Sequence, residues 1–475
     1  MIRTGRLPAL LLLPAVLAGC SALGARPAWE QPPPKVQEGP VVPAERLHRT
    51  TLENGLEVLV LEDHRLPRLA LGIVLRRGVA SESVEQAGLA SYTAELLQRG
   101  AGPRDAPAFA RAVDDLGAGF DASADWDSIS IGVAGLSRDE PALVDLLADA
   151  VLRPRFEPGE AARVRSEQQA GLEQAKDEPE TLLSRAFART LYPGQRYGLP
   201  SDGTPESVAR FDAAAARAFH ATYFVPSNAI LYAVGDVSNE EFLEAARAAF
   251  GGWRGGAPPA APPLAPTPTP EARRVVIVDR PDLGQSQIVV GHEGMRRSEP
   301  ARHAALLLAD VLGGGGFSSR LMERVRSEAG LTYSIGAGFA MRREGGPFSV
   351  ATFTRVPETR RVIDLILAEL ERAKTEPPTP AELGEAKTRA AGGFVLGLET
   401  SQAIASALIA LDVEGLPPDS LDVYRSRIVQ ITPEQVAAAA EARLHPERAA
   451  IVVVGPASVL VPELEGLGEI EVVKP

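Results

Sequence analysis

The sequence predicts an α+β protein of two homologous domains, each a mixed β-sheet with flanking helices, that face each other across a cleft. Its 475 residues exceed the roughly 100 to 200 residues of one ordinary domain. A stretch rich in proline and alanine, Gly251–Pro270, suits neither a helix nor a sheet and divides the chain into halves of similar length. We therefore assign an N-terminal domain to residues 44–250, a linker to residues 251–270 and a C-terminal domain to residues 271–475.

The two halves repeat the same order of segments. Leu56–Leu75 and Arg273–Gly291 each hold two short apolar runs about a polar turn, which predicts a pair of strands. Gly88–Gly100 corresponds to Ala304–Gly316 at an offset of 216 residues, and both have the apolar periodicity of a helix. A repeat this long indicates a duplicated domain, because the repeats of a solenoid run about 20 to 50 residues.

A third pair of matching segments supports the duplication. Phe211–Asp236 corresponds to Ile431–Pro456 at an offset of 220 residues, and each predicts a helix followed by a strand. Asp212 and Thr432 stand at the N-cap position of these helices, and Thr432 forms a capping-box pattern with Gln435. A cleft between two such domains is the natural place for a binding site.

Composition narrows the class of function. Hydrophobic residues make up 45% of the chain and charged residues 23%, which is typical of a soluble globular protein. The formal net charge of -13 argues against a nucleic-acid partner, which would require a basic face. A single cysteine excludes an intrachain disulfide, so the fold depends on its apolar core.

The N-terminus has the layout of a secretory signal. Arg3 and Arg6 precede an apolar run, Leu7–Gly19, that is shorter than the roughly 20 residues of a membrane span. Residues 1–20 are therefore predicted to be a signal peptide, and the residues from 21 to 43, rich in alanine and proline, a tether.

The end of this signal, Leu17-Ala18-Gly19-Cys20, resembles a bacterial lipobox. The resemblance implies cleavage that leaves Cys20 as a lipidated N-terminus in the bacterial cell envelope. Ser21 after the cysteine implies, by the same analogy, the periplasmic face of the outer membrane. The alternative is an ordinary signal peptide that happens to contain a cysteine.

Several segments together resemble the insulinase/pitrilysin-like zinc peptidase family. They are Gly88–Ala90 before the first amphipathic helix, the Arg-Gly pair after it, the strand of Pro226–Asp236, and FSSRLMERVRSEAGLTYSIGA from Phe317 to Ala337. The likeness runs from about Leu52 to about Gly455. In that family the helix carries an HxxEH motif, in which two histidines on one helix face bind zinc and the glutamate acts as general base.

This chain lacks those groups at the matching positions. Alignment on Gly-Leu-Ala places Ser91, Tyr92, Thr93, Ala94 and Glu95 at the five positions of the motif. Alanine cannot accept a proton and serine is a poor zinc ligand, so only Glu95 could bind the metal. The resemblance implies that this helix is a scaffold without catalytic residues.

Other candidate ligands are few. The family's third ligand, a glutamate, falls near Ala170 or Gly171 in this sequence, with Glu167 and Glu173 close by as residual candidates. The histidines are too far apart along the chain to form a helical pair: His48, His64, His220, His292, His303 and His445. We therefore predict no metal on this chain.

The second half carries a different pair. In family members whose C-terminal domain assists catalysis, an arginine and a tyrosine seven residues later reach across the cleft to the substrate, and Arg326 and Tyr333 have this spacing. A guanidinium and a phenol can donate hydrogen bonds to a peptide carbonyl. The alternative is that Arg320, Arg324 and Arg326 form the solvated face of a helix and Tyr333 begins a strand.

Two further patterns have ordinary structural interpretations. The glycine run Gly313–Gly316 lacks the ending of a phosphate-binding loop, so a flexible hinge is expected. Asp121, Asp125 and Asp127, with Trp126 among them, are predicted to lie at a strand edge and turn rather than at a metal.

Three functions compete on this basis. The resemblance favours a non-catalytic, substrate-binding subunit of a heterodimeric zinc peptidase, whose HxxEH-bearing partner supplies the zinc and whose substrates are extended peptides. The second is a peptide-binding or scaffold protein of the bacterial envelope without hydrolysis. The third is an autonomous peptidase with altered ligands, in which Glu95 would be essential.

Overall fold

The computed structural model describes residues 40–260 and 270–475. The proposed signal peptide, Cys20, most of the tether and the centre of the linker lie outside the described residues. The predicted fold class is confirmed, because the described chain forms two six-stranded mixed sheets with helices packed on them.

The first half, residues 40–260, forms one six-stranded sheet, a separate pair of two-residue strands and eight α-helices. Its strands are β1 (Leu47–Thr51), β2 (Glu57–Glu62), β3 (Arg68–Leu75), the short β4 (Gly100–Ala101) and β5 (Arg104–Asp105), β6 (Gly119–Ala124), β7 (Ile129–Leu136) and β8 (Ala229–Gly235). Its helices are α1 (Leu89–Leu97), α2 (Ala106–Asp115), α3 (Glu140–Leu152), α4 (Pro158–Gln174), α5 (Pro179–Leu191), α6 (Pro205–Val208), α7 (Ala213–Tyr223) and α8 (Asn239–Phe250).

The second half, residues 270–475, repeats this plan with six strands and seven α-helices. Its strands are β9 (Arg274–Asp279), β10 (Gln285–Glu293), β11 (Ile335–Phe339), β12 (Pro347–Arg355), β13 (Ala450–Gly455) and β14 (Glu469–Val473). Its helices are α9 (Arg302–Ala309), α10 (Thr359–Thr375), α11 (Pro380–Leu396), α12 (Ser401–Glu414), α13 (Ser420–Gln430), α14 (Pro433–Arg443) and α15 (Ala457–Leu464).

Sheet topology supports the duplication. The strand orders are β1-β2-β8-β3-β7-β6 and β14-β9-β13-β10-β12-β11, so five of the six positions correspond one to one. In both sheets the late strand, β8 or β13, lies between the two strands predicted as a pair and runs parallel to the earlier one. The predicted strands therefore form, but they do not pair with each other directly. The edges differ, because β1 pairs with β2 antiparallel and β14 pairs with β9 parallel.

The predicted N-caps also form. The Asp212 carboxylate accepts a hydrogen bond from Ala215 N at 2.8 Å at the start of α7. At the start of α14, Thr432 and Gln435 exchange both bonds of a capping box. Each cap satisfies backbone N–H groups that would otherwise lack partners at the helix start.

Each half covers the sheet of the other with one helix. The apolar face of α5, including Leu183 and Phe187, packs on strands β9, β10 and β13 of the second sheet. Reciprocally, α12 packs Leu408 and Ile409 against strands β2, β3 and β8 of the first sheet. This exchange, rather than the linker alone, holds the halves together.

The ends of the predicted linker and tether join the folded core. Trp253, three residues into the predicted linker, is 8% exposed and donates from Nε1 to Phe224 O at 3.0 Å. Val42, at the end of the predicted tether, is 8% exposed against α12. The folded core therefore includes the start of the predicted linker at Trp253 and the end of the predicted tether at Val42.

Hydropathy gives one further observation about the helices. In the described ranges no single helix is long and apolar enough to cross a membrane. The consecutive helices α11 and α12 pass that test only when joined, and they are bent by 112° relative to each other.

Candidate functional site

A buried ion pair fixes the start of α1, the helix at the family's zinc position. Glu82, 1% exposed, accepts hydrogen bonds from Gly88 N at 3.0 Å and Ala90 N at 2.5 Å. Arg196, 6% exposed, donates to the same carboxylate at 2.8 Å. Burial raises the pKa of Glu82, while Arg196 and the two backbone donors lower it in part. This carboxylate therefore caps α1 from outside the helix.

The five motif positions on α1 serve packing and local bonding. Ser91 Oγ donates to Ser201 O at 3.1 Å, and Tyr92 Oη donates to Ala161 O of α4 at 2.7 Å. Ala94 is 1% exposed in the core. The neighbouring Leu89, Leu96 and Leu97 are all buried in the core of the first half.

An arginine engages both carboxylates near this helix. Arg99, four residues after Glu95, donates to Glu95 Oε1 from Nε at 3.1 Å and from Nη2 at 2.5 Å. Its Nη2 also lies 3.1 Å from Glu167 Oε2 on α4, and Arg163 donates to the other oxygen of Glu167 at 2.9 Å. Glu173, by contrast, pairs with Lys176 at 2.6 Å and does not reach α1.

These residues do not fit a zinc ion. Ala94 offers no general base, and Glu95 and Glu167 are both paired with the Arg99 guanidinium. Gly171 has no side chain to serve as a third ligand. Within residues 40–260 and 270–475, no group of three or more histidine, cysteine or acidic side chains could hold a metal ion. We therefore derive no metal-dependent step from this chain.

The histidines have structural surroundings. His64 pairs with Asp236 at 2.8 Å, and His220 Nε2 lies 2.8 Å from Val151 O. His292 Nε2 accepts a hydrogen bond from His445 N at 3.1 Å, and burial lowers the pKa of His292 to about 4. None of these contacts brings a histidine to α1.

Arg326 and Tyr333 lie together on the surface of the second half. Arg326 belongs to a π-helical segment, Met322–Glu328, a rare conformation often found at functional sites. Its guanidinium carbon is 4.8 Å from the ring centroid of Tyr333 and 4.3 Å from that of Phe317. Among the described residues, neither Arg326 nor Tyr333 has a side-chain hydrogen bond or an ion pair. Their donors are therefore open to a ligand.

The alternative of a solvated arginine face is wrong for Arg320. This side chain is 7% exposed and donates to the Glu382 carboxylate at 2.6 Å, because the helix turns it toward α11. Arg320 and Arg324 also lie 3.9 and 3.7 Å from the buried Glu369 carboxylate of α10. Only Arg326 of the three has no acidic partner among the described residues. The ion pairs therefore anchor the segment from which Arg326 projects.

We expect acid to weaken this anchor. The Arg320 hydrogen bond lowers the pKa of Glu382 from 4.5 to about 2, so the stabilisation is complete above pH 4.5 and is lost as the pH falls toward 2. Urea unfolding at pH 6 and pH 3 should show Glu382→Gln costing about 2 kcal/mol at pH 6 and less at pH 3. Glu385→Gln on the same helix, where the carboxylate is 56% exposed, serves as the matched control. An equal cost at both pH values for Glu382→Gln would contradict this origin.

The glycine run before this segment is more constrained than a flexible hinge. A Cβ on Gly313 would lie 2.4 Å from Ala337 N, and one on Gly315 would lie 2.4 Å from the Arg389 guanidinium. These two glycines allow close packing, whereas Gly316 takes a φ of +65°. The run therefore fixes the path of the chain into Phe317.

Two cavities lie where residues of both halves meet. One of about 430 Å³ lies between Ser184 and Phe187 of α5 and strands β10 and β12, with Ser334 on its wall, next to Tyr333 in sequence. The other, of about 990 Å³, is an open cavity on the first sheet beside Tyr232, with the start of α12 on one side. Both cavities are lined by residues of the two halves, the region in which a binding cleft is predicted.

The acidic trio lies at a strand and turn, as predicted. Asp121 is on the edge strand β6, and Asp125 and Asp127 are in the turn to β7. The turn also contacts the second half: Trp126 carries Arg342 at 4.2 Å over its ring, and Asp127 accepts from Arg343 N at 3.0 Å.

Sequence reasoning missed Phe317 and the bridging role of Arg99. Phe317 is 71% exposed, but in the sequence it looks like any core phenylalanine. The spacing of four residues between Glu95 and Arg99 was a usable signal for an ion pair. The contact with Glu167, 68 residues away from Arg99, had no local signal.

Family comparisons agree with this architecture. Residues 57–204 match the model "Insulinase (Peptidase family M16)", and residues 210–390 match "Peptidase M16 inactive domain". An uncharacterized zinc protease of Streptomyces coelicolor is 28% identical over 86% of this chain and 90% of its own length. One of Mycobacterium tuberculosis is 29% identical over 88% of this chain and 96% of its own.

Solved structures are similar over the same span. A peptidase M16 inactive domain from Pseudomonas fluorescens has a TM-score of 0.80 and 28% identity, covering 86% of this chain and 98% of its own. A protease from Helicobacter pylori has a TM-score of 0.78 and 19% identity, covering 86% and 99%. The second likeness concerns the fold alone.

Proposed function

Because the chain belongs to the insulinase-like M16 family of peptidases, we propose that it is the non-catalytic, substrate-binding subunit of a heterodimeric zinc peptidase. A partner chain bearing HxxEH supplies the zinc and the general base, and the substrates are extended peptides. The observation that carries the proposal is the contrast between the halves. Ala94 and the paired Glu95 leave α1 without zinc chemistry, whereas Arg326 and Tyr333 contact each other with their donors unpaired. Ser334, the residue after Tyr333, lies on the wall of a cavity between the halves.

In this role Arg326 and Tyr333 act on the substrate peptide group. The guanidinium and the phenol donate hydrogen bonds to the carbonyl oxygen, and these bonds strengthen as negative charge develops on it. The role needs no metal on this chain. It does require Arg326 to hold a fixed position, which the ion pairs of Arg320 and Arg324 favour.

We expect Arg326→Ala to lower peptide turnover by the pair about 100-fold and Tyr333→Phe to lower it less, because each removes a donor to the oxyanion. The measurement is hydrolysis of a fluorogenic peptide by the co-purified pair, with gel filtration to show that the pair stays intact. Arg361→Ala, at an arginine whose side chain is 62% exposed in the same half, should leave turnover unchanged. Unchanged turnover in both site variants would remove this role.

The partner is tested by a gentle-detergent pull-down of the tagged chain from its own organism. Recovery of a family member with HxxEH in near-equal amount supports the composite enzyme. Recovery of the chain alone, or with unrelated envelope proteins, favours the non-enzymatic peptide-binding or scaffold alternative. Activity of the homogeneous chain alone that is lost in Glu95→Gln would instead indicate an autonomous peptidase.

The proposal also places the chain in the bacterial cell envelope, anchored by lipid on Cys20 at the periplasmic face of the outer membrane. The LAGC sequence that ends the signal supports this placement. We expect radiolabelled palmitate to be incorporated into the wild-type chain and not into Cys20→Ala. Absence of label from the wild-type chain would favour an ordinary signal peptide.

A further inference from the structure

The most exposed aromatic side chains of the second half converge on one arginine. Phe317 is 71% exposed and Tyr333 is 73% exposed, although large apolar side chains are usually buried. Both rings contact the guanidinium of Arg326, at 4.3 and 4.8 Å from its central carbon. Such cation–π contacts orient a guanidinium without using its N–H donors.

The backbone on either side of Phe317 is held in place. Gly315 packs against the Arg389 guanidinium, and Gly316 takes the left-handed conformation that starts the turn. Ser319 is 1% exposed, and its hydroxyl donates to Gly316 O at 2.9 Å. Phe317 therefore projects from a fixed turn and is not a side chain on a free loop.

The contact contributes little to folding. Both rings keep more than two-thirds of their surface in water, so little apolar area is buried against Arg326. A half-buried arginine without hydrogen bonds or ion pairs would otherwise sample several rotamers. The rings thus restrict the guanidinium while its hydrogen-bonding edge stays open, an arrangement suited to a planar acceptor.

We propose that Phe317 is a positioning residue that, with Tyr333, holds the Arg326 guanidinium ready for a planar carbonyl or carboxylate acceptor of a bound peptide. The identity of the ligand rests on the proposed function. The restriction of Arg326 by the rings of Phe317 and Tyr333, which we call the clamp, does not depend on it. A peptide bond and a free C-terminus share the acceptor chemistry, and the test distinguishes them.

The clamp is measured first, on the full chain without a partner. The rate at which phenylglyoxal modifies Arg326 is followed by mass spectrometry. We expect a rise of about two- to fivefold in Phe317→Ala and a rate near wild type in Phe317→Trp, whose ring also binds cations. Leu396→Ala, at a side chain that is 74% exposed on α11, is the control for a change in surface apolarity.

Peptide affinity is measured second, by anisotropy of a fluorescein-labelled unstructured peptide with either a free or an amidated C-terminus. Phe317→Ala should weaken binding two- to tenfold, and Phe317→Trp should restore it. A loss confined to the free-acid peptide assigns the acceptor to the carboxylate, and an equal loss for both peptides assigns it to a backbone carbonyl.

Two results would overturn the proposal. One is an unchanged labelling rate in Phe317→Ala. The other is faster labelling with unchanged affinity, when Arg326→Ala itself weakens binding. If Arg326→Ala leaves the affinity unchanged, the substrate contact in the proposed function fails, and the labelling rate still decides whether Phe317 holds Arg326.

Discussion

Replacing Arg196 by methionine should lower the free energy of unfolding by about 3 to 5 kcal/mol, because it leaves the Glu82 carboxylate buried without its cation. Glu82 and Arg196 are 1% and 6% exposed, so water cannot replace the lost partner. Urea unfolding followed by tryptophan fluorescence is a direct measurement, since Trp126 lies 5.4 Å from the Arg196 guanidinium.

Two further variants show whether the loss of stability in Arg196→Met comes from the broken ion pair or from any arginine-to-methionine change. Arg185→Met removes a partly exposed bridge to Asp202 in the same half and should cost less than about 1 kcal/mol. Adding Glu82→Gln to Arg196→Met should recover much of the loss, because glutamine is neutral and still accepts from the backbone at the start of α1. Equal costs for Arg185→Met and Arg196→Met would show that burial of the pair has no special effect.

Phe187→Ala should cost a similar amount, about 3 to 5 kcal/mol, because it opens a cavity where α5 packs on the second sheet. The fit is close: a Cβ on Gly291 of β10 would lie 2.8 Å from the tip of the Phe187 ring. Urea unfolding again gives the measurement. Since Phe187 joins the two halves, we expect their transitions to separate in this variant.

The control for this variant is Phe317→Ala, which removes the same side chain from a site that is 71% exposed. It should change stability by less than about 0.5 kcal/mol. A single cooperative transition with unchanged midpoint in Phe187→Ala would mean that the exchanged helix does not couple the halves.

The sequence predicted the elements that depend on local pattern. Short apolar runs about a polar turn placed β2, β3, β9 and β10, and side-chain chemistry placed the caps at Asp212 and Thr432, because these signals act over a few residues. Strand order and the exchange of α5 and α12 depend on contacts between distant segments. The packing of Leu183 and Phe187 of α5 on the second sheet was therefore not predicted from the sequence.

The candidate site also combines residues that the sequence predicted with residues that it did not, because their contacts join distant segments. The family resemblance selected Arg326 and Tyr333, two residues that the fold brings into contact. Their third neighbour, Phe317, is nine positions before Arg326 and reaches it only through the turn at Gly316. The burial of Arg320 was missed because its acceptor, Glu382, lies 62 residues further along the chain.

Helix α5 of the first half packs on the second sheet, and α12 of the second half packs on the first. Two subunits of a domain-swapped homodimer exchange elements in the same way, but here both copies belong to one chain. Each copy provides in cis what a second subunit would provide in trans, so the linker sets the local concentration of the halves rather than their contacts. A protease that cuts between residues 261 and 269 should therefore leave a nicked protein that does not dissociate. Each half therefore stabilises the sheet of the other through α5 or α12, independently of the residues that either half carries at the candidate site.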